Sequence, residues 1–167
     1  MDQPPPGNYE YIHYTRAGIT AIDLTRSYPQ TAVKLALHNP NGLWLSVAGI
    51  HDWERYCLKN NYHPENLKSE FQIILKPAAK ILVLHSGTVF NEFTNEYGYY
   101  HDGIAMHGDN YTLNMSIKWE VILTRYQGIV IPISLPKLNN LGPWYNVWCC
   151  TCGCIWDLQA VEKAIGV

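Results

Sequence analysis

The chain has 167 residues, 47% of them hydrophobic and 16% charged, and a formal net charge of -2. That length suits one domain, and the apolar share is enough to bury a core. The charge balance leaves no bulk electrostatic footprint for nucleic acid or an anionic membrane surface, and no apolar run approaches the ~20 residues that a bilayer-spanning helix needs.

Residues 1-8, with Pro4-Pro5-Pro6-Gly7, read as a flexible leader. They lack the charged and apolar regions of a secretory signal, so a soluble cytoplasmic protein is expected. A secreted effector without such a signal stays open. Residues 9-167 read as a single domain, because neither an internal repeat nor a long linker divides them.

Tyr9 to Thr15 alternates as a strand does. Thr20 to Leu37 reads as a loop with a short helix around Ala32, Val33, Leu35 and Ala36. His38-Asn39-Pro40-Asn41-Gly42 is a turn signal, followed by an apolar strand over Leu43 to Val47. Asp52 to Asn60 predicts a helix with Asp52 as its cap, and Ser86 to Tyr97 a second one capped by Ser86. Phe71 to Leu75 and Ile81 to Leu84 predict strands, as do Asp102 to Met106 and Gly128 to Ile133. A last strand region runs from Trp144 to Trp156, and Asp157 to Ile165 predicts a closing helix. Residues 112-127 fit a strand or a helix, since periodicity does not settle a run this short. Strands and short helices in this order describe an α+β domain.

Two segments point to chemistry. His13-Tyr14-Thr15 resembles the His-x-Thr/Ser of the first core strand in ADP-ribosyltransferases of the diphtheria-toxin and poly(ADP-ribose) polymerase type. Gly42-Leu43-Trp44-Leu45-Ser46 resembles the Gly-Ile-Tyr-Phe-Ala strand of that family, and Asp52 to Cys57 falls where the family has a helix bearing a ring-stacking Tyr. The strict match covers about a fifth of the chain. The pairing of Gly-Leu-Trp-Leu-Ser with a late Trp-Tyr...Trp...Gly-Cys-Ile-Trp segment also looks like a group of uncharacterised proteins sharing this fold.

The resemblance implies an ADP-ribosyltransferase-like split β-sheet core with short helices. It implies NAD+ as co-substrate and transfer of ADP-ribose to a protein, nucleic acid or small-molecule acceptor. By the same resemblance His13 would hold a ribose hydroxyl, and the Tyr14 backbone would pair with the nicotinamide carboxamide. Thr15, Gly42 and Ser46 would complete the cofactor site. Trp44, with Trp53 or Tyr56, would sandwich the ring. His13, Trp44 and Glu120 are the catalytic candidates. The family's catalytic Glu corresponds to Glu120 if residues 119-123 form a strand facing the pocket; as part of a helix, Glu120 is a solvated charge. Gln127 is a second candidate, able to bind a ribose hydroxyl without charge. A third position is Cys149, where the looser group carries an Asp. Asp102, Asp109 and Glu92 are unranked.

The same residues admit plainer readings, His13 as a hydrogen-bonded structural histidine and the Gly-Leu-Trp-Leu-Ser strand as core. A degenerate binder of NAD+ or ADP-ribose on the same fold is the alternative from another class. RNA 2′-phosphate transfer, which related folds perform, calls for a basic pocket and fits this charge balance poorly.

Of five cysteines, Cys149, Cys150, Cys152 and Cys154 crowd into one run and Cys57 stands apart. An odd count in this arrangement is a poor disulfide framework and fits a reducing compartment. It also lacks the two separated ligand pairs of a structural zinc site, although His101 or His107 could complete one. No metal ligand is assigned. In a strand Cys150, Cys152 and Cys154 would share one face as core residues, leaving Cys149 on the other. A metal-binding interaction module and a reactive thiol are the competing readings of this cluster.

Overall fold

The structure, a computed structural model, describes residues 9-36, 40-49, 51-100, 105-107, 110-112, 115-133, 144-145 and 148-167. The leader, His101, Asp102 and Asp109 lie outside these residues. In chain order the elements are β1 (Tyr11–Thr15), α1 (Ala32–Ala36), β2 (Leu43–Val47), α2 (Trp53–Asn60), β3 (Ser69–Leu75), β4 (Ile81–Val83) and α3 (Gly87–Tyr97). Then come β5 (Gly98–Tyr100), β6 (Ala105–His107), β7 (Asn110–Thr112), β8 (Met115–Ile117), α4 (Trp119–Arg125), β9 (Gly128–Ile131), β10 (Cys152–Ile155) and β11 (Val161–Gly166).

Seven strands form one sheet in the order β11-β3-β1-β2-β10-β9-β4, antiparallel except where β4 runs parallel to β9. β5 pairs with β8, and β6 with β7, in two small ladders. The class is α+β.

Period-two alternation along the strands divides two cores. Leu43, Leu45 and Val47 of β2 join Phe71, Ile73 and Leu75 of β3 on one face. Ile22, Leu24 and Tyr28 from the loop before α1 help cover it. Trp44 lies on the opposite face, with Cys152 and Cys154 of β10 and Ile129 and Ile131 of β9. There α3 and α4 pack through Phe90, Phe93, Trp119 and Ile122, with Trp144 stacked on Phe90 at 5.0 Å.

The helix starts follow local chemistry. Asp52 Oδ1 accepts the Arg55 N–H at 3.0 Å, and Ser86 Oγ accepts that of Val89 at 3.2 Å. Each satisfies a donor that the first helical turn leaves unpaired. Asn61 ends α2 in the left-handed region at φ 48, which asparagine tolerates.

Three expectations need correction or resolution. The closing helix over Asp157 to Ile165 is instead a short 3-10 turn, Leu158–Ala160, followed by strand β11 on the edge of β3. Pairing with the open β3 edge overrides the helical preference of Glu162-Lys163-Ala164, an outcome tertiary context commonly imposes. The strand region of Trp144 to Trp156 contracts to β10; Trp144 and Tyr145 form a short turn instead. Residues 119-125 are helical: Trp119 and Ile122 are buried, while Glu120 and Arg125 are exposed.

Candidate functional site

A cavity of about 570 Å³ opens on the Trp44 face of the sheet, within the size range of small-molecule sites. Its floor is the end of β1 and the adjoining part of β2, with Ile12 to Thr15 facing Trp44, Leu45 and Ser46. One wall is aromatic: Trp53 and Tyr56 of α2, with Tyr62 just beyond it. Cys149, Cys150 and Cys152 complete the lining.

The floor exists because two strands part. β1 and β2 pair at Tyr11–Val47 and Ile12–Ser46, and the ladder goes no further. The next hydrogen-bonding pair in register, Tyr14 with Trp44, is not formed. On the other side β1 stays paired with β3 through Thr15. Glu10 C=O accepts from Ala48 N–H beside β2, whereas Thr15 C=O accepts from Lys68 N–H beside β3. Backbone groups alternate along a strand, so Tyr14 directs its N–H and C=O toward β2, where the ladder has opened. A donor and an acceptor on one residue, held at fixed spacing by β3, suit a planar carboxamide.

His13 takes over the Trp44 carbonyl. Its Nδ1 lies 2.7 Å from Trp44 O. A carbonyl only accepts, so Nδ1 carries the proton. Burial lowers the His13 pKa from its ordinary 6.5, against the opposing effect of the Trp44 bond, and the ring is neutral at pH 7. Nε2 is then a bare acceptor, suited to a hydroxyl donor.

The aromatic wall is seated by short polar bonds. Ser46 Oγ accepts the Trp53 N–H at 2.9 Å, and Asp52 Oδ2 accepts the Gly49 N–H at 3.1 Å. These fix the start of α2 against β2. Trp53 and Tyr56 stack at 5.6 Å and 18°, and Tyr62 meets Trp53 edge-on at 5.7 Å. Across the cavity floor, Trp44 rests on Trp148 at 4.9 Å. The cavity therefore meets a flat ligand with ring faces already packed from behind.

No family model, curated protein or solved structure matches the chain. The site is therefore read from its own geometry.

Of the residues singled out from sequence, His13, Tyr14, Thr15, Trp44, Ser46, Trp53 and Tyr56 line this one cavity. Ser46 is nonetheless engaged through its hydroxyl in docking α2. Three others do not line it. Glu120 sits exposed on α4, a helix packed against the core through Trp119 and Ile122, so the strand required for its catalytic role is absent. Gln127 is a structural joint: its amide accepts from Lys80 N–H at 3.0 Å and donates to Asp157 Oδ2 at 2.8 Å. Gly42 serves close packing, since a Cβ there would lie 2.5 Å from Cys154 Sγ and 2.6 Å from Ile155 O. Glu92 is exposed on α3.

Tyr62, Asn66, Cys150 and Cys152 line the cavity without having been assigned to it from sequence. Tyr62 follows the helix end at Asn61, where no periodicity signals a site. Asn66 belongs to the 3-10 turn Pro64–Leu67, tied to the end of β1 by the Lys68–Thr15 bond. Its Oδ1 accepts from Arg16 Nε at 3.0 Å.

The cysteine run is held by Thr151. Its Oγ1 donates to Val47 O at 2.9 Å, its carbonyl accepts from Val47 N–H, and its N–H donates to His51 O. Cys150, Cys152 and Cys154 are buried and Cys149 is exposed, but only Cys152 and Cys154 lie in β10, and Cys149 lines the same cavity as Cys150 and Cys152 rather than an opposite face. All five cysteines are free, and no group of three His, Cys, Asp or Glu among the described residues could hold a metal ion.

Among the described residues none of the lining side chains is a carboxylate, and none carries a charge at neutral pH. Acid lies just outside: burial, then Glu54, Glu70, Asp52 and Glu10, raise the Tyr14 hydroxyl pKa well above its ordinary value. This neutral lining inside an acidic surround disfavours a phosphate-centred site.

Proposed function

We propose that this protein binds NAD+ in the cavity between β1, β2 and α2, and is an ADP-ribosyltransferase in fold and activity. The carrying observation is the parting of β1 and β2 at Tyr14, with His13 holding the Trp44 carbonyl that a continued ladder would pair with Tyr14. The Tyr14 N–H donates to the carboxamide oxygen of nicotinamide, and its C=O accepts from the carboxamide nitrogen. His13 Nε2 accepts from a ribose hydroxyl. Trp53 and Tyr56 offer ring faces to a pyridinium cation, which favours the oxidised dinucleotide. The nearby carboxylates add to that preference.

NAD+ supplies the ADP-ribose group and a nicotinamide leaving group. The chain's own residues contribute position: a fixed carboxamide edge, a fixed ribose contact and a stacked ring orient the glycosidic bond toward the acceptor.

A specific observation favours a second reading, NAD+ binding without turnover. No carboxylate among the described lining residues stabilises the charge that develops on the ribose as nicotinamide leaves. Calorimetric titration with NAD+, followed by measurement of nicotinamide release on the same sample, separates the two. Binding with sustained release supports the transferase; binding without release supports the second reading. Absence of binding overturns both.

A further inference from the structure

NAD+ would bring an anionic pyrophosphate to a cavity with no charged side chain in its described lining. The surround is acidic, since Glu54, Glu70, Asp52 and Glu10 add to burial in raising the Tyr14 pKa. Neither the lining nor that surround favours the pyrophosphate, which therefore has to leave the cavity where a cation meets its edge. Among the described residues one cationic side chain is hydrogen-bonded to a lining residue. It is Arg16, whose Nε donates to Asn66 Oδ1 at 3.0 Å.

The place is fixed by the chain on both sides. The lining follows β1 from Ile12 to Thr15 and passes to Asn66 in the 3-10 turn Pro64–Leu67. Lys68 N–H donates to Thr15 O at 3.0 Å and fastens that turn to the end of β1, while Asn66 N–H donates to His63 O at 2.9 Å within it. Thr15 Oγ1 donates to the Arg16 carbonyl at 3.0 Å, so its proton is already in use. Donors remain on the neighbours. The Asn66 Nδ2 amide and both terminal nitrogens of Arg16 have no partner among the described residues. Glu65, an acid of the same turn, bonds His63 Nδ1 at 2.8 Å and forms no ion pair with Arg16.

We propose that Arg16, with the Asn66 amide beside it, anchors the pyrophosphate of NAD+ at the β1 end of the cavity. This rests on the NAD+ reading above and adds the residues that hold the anionic middle of the dinucleotide. A guanidinium carries its N–H groups in one rigid plane, a fork that suits phosphate oxygens. With Nε held by Asn66, that plane is set before the ligand arrives, and less side-chain freedom is lost on binding. The arrangement divides the ligand by charge. The ring and its ribose occupy the neutral cavity, and the pyrophosphate lies at its edge on Arg16.

Calorimetry on the full chain tests this by comparing NAD+ with nicotinamide riboside, which has the same ring and ribose and no pyrophosphate. Wild type should bind NAD+ more tightly than the riboside. Arg16→Gln should weaken NAD+ binding about 5-fold, the worth of one exposed charged contact, and leave riboside binding unchanged. Its NAD+ affinity should also fall less steeply than that of wild type as sodium chloride is added. Asn66→Ala, which releases Nε, should weaken NAD+ in the same direction. Unchanged NAD+ affinity in Arg16→Gln overturns this inference alone, as does an equal loss for both ligands or an unaltered salt dependence. Failure of wild type to bind either ligand overturns the reading of the pocket itself, and the inference with it.

Discussion

His13 makes two contacts that substitution can separate. Replacing it with alanine removes the Nδ1–H donor from the half-buried Trp44 carbonyl, a bond of 2.7 Å, and removes Nε2 from the cavity. Leaving a carbonyl unpaired costs about 1–3 kcal/mol, and losing one neutral hydrogen bond to a ligand costs about 0.5–1.5 kcal/mol. His13→Ala should therefore lower unfolding free energy by about 1–3 kcal/mol and weaken NAD+ binding roughly 2- to 12-fold. Asparagine places an amide donor where Nδ1 sits but has nothing at Nε2. His13→Asn should restore most of the stability and none of the affinity. Glutamine reaches the Nε2 position and should do the reverse. Urea denaturation followed by tryptophan fluorescence reads the first quantity, and NAD+ calorimetry the second. Recovery of affinity by His13→Asn would refute the contact at Nε2. An alanine variant unchanged in both assays would refute the tautomer assignment as well.

Further outcomes concern pH, stacking and packing. Because burial lowers the His13 pKa, the unfolded chain takes up a proton near pH 6.5 before the folded chain does, so His13 lowers stability as pH falls through 6.5 toward its folded pKa. Above pH 6.5 this contribution is absent; stability profiles of wild type and His13→Asn should converge there and separate below it, and parallel profiles throughout would contradict it. Trp53→Ala should weaken NAD+ binding by ~1 kcal/mol from lost stacking, beyond any change in buried area. An unchanged dissociation constant would move the ring site elsewhere. Gly42→Ala should destabilise the fold by about 1–3 kcal/mol, because the added methyl meets Cys154 Sγ and Ile155 O at the β2–β10 contact. A neutral result in thermal unfolding would show that β10 can shift to admit it. Glu120→Gln should leave NAD+ affinity within experimental scatter of wild type, as befits an exposed charge on α4; a large loss would return Glu120 to the site.

Much of the local structure was legible because it depends on short-range chemistry. Asp52 and Ser86 cap the helices that follow them, and the turn before Leu43 sets the start of β2. The shared face of Cys152 and Cys154 follows from strand geometry, whereas Cys149 and Cys150 precede β10 and their placement does not. The misread closing helix and the choice left open over residues 112-127 have one cause. Glu162-Lys163-Ala164 has helical preferences, yet it lies beside an open β3 edge whose backbone groups need partners. In residues 119-125 the choice of helix depends on α4 packing Trp119 and Ile122 into the core beside Trp144, a contact between segments far apart in sequence.

The same division runs through the site. By itself the sequence determined which residue types were available: a histidine and an extended backbone in one strand, aromatics in a capped helix, and thiols in a late run. Those features arise from near neighbours, where capping, alternation and turn chemistry act. Only the tertiary structure decided what they do together. It stopped the β1–β2 ladder at Ile12, gave the Trp44 carbonyl to His13, and brought Cys149, Cys150 and Cys152 to the cavity of β1, β2 and α2. It also removed Glu120, Gln127 and Gly42 from the site by giving each a structural place elsewhere. The physical reason is that a pocket forms between strands and helices distant along the chain, and their meeting is fixed by the packing of both sheet faces, which no local pattern records.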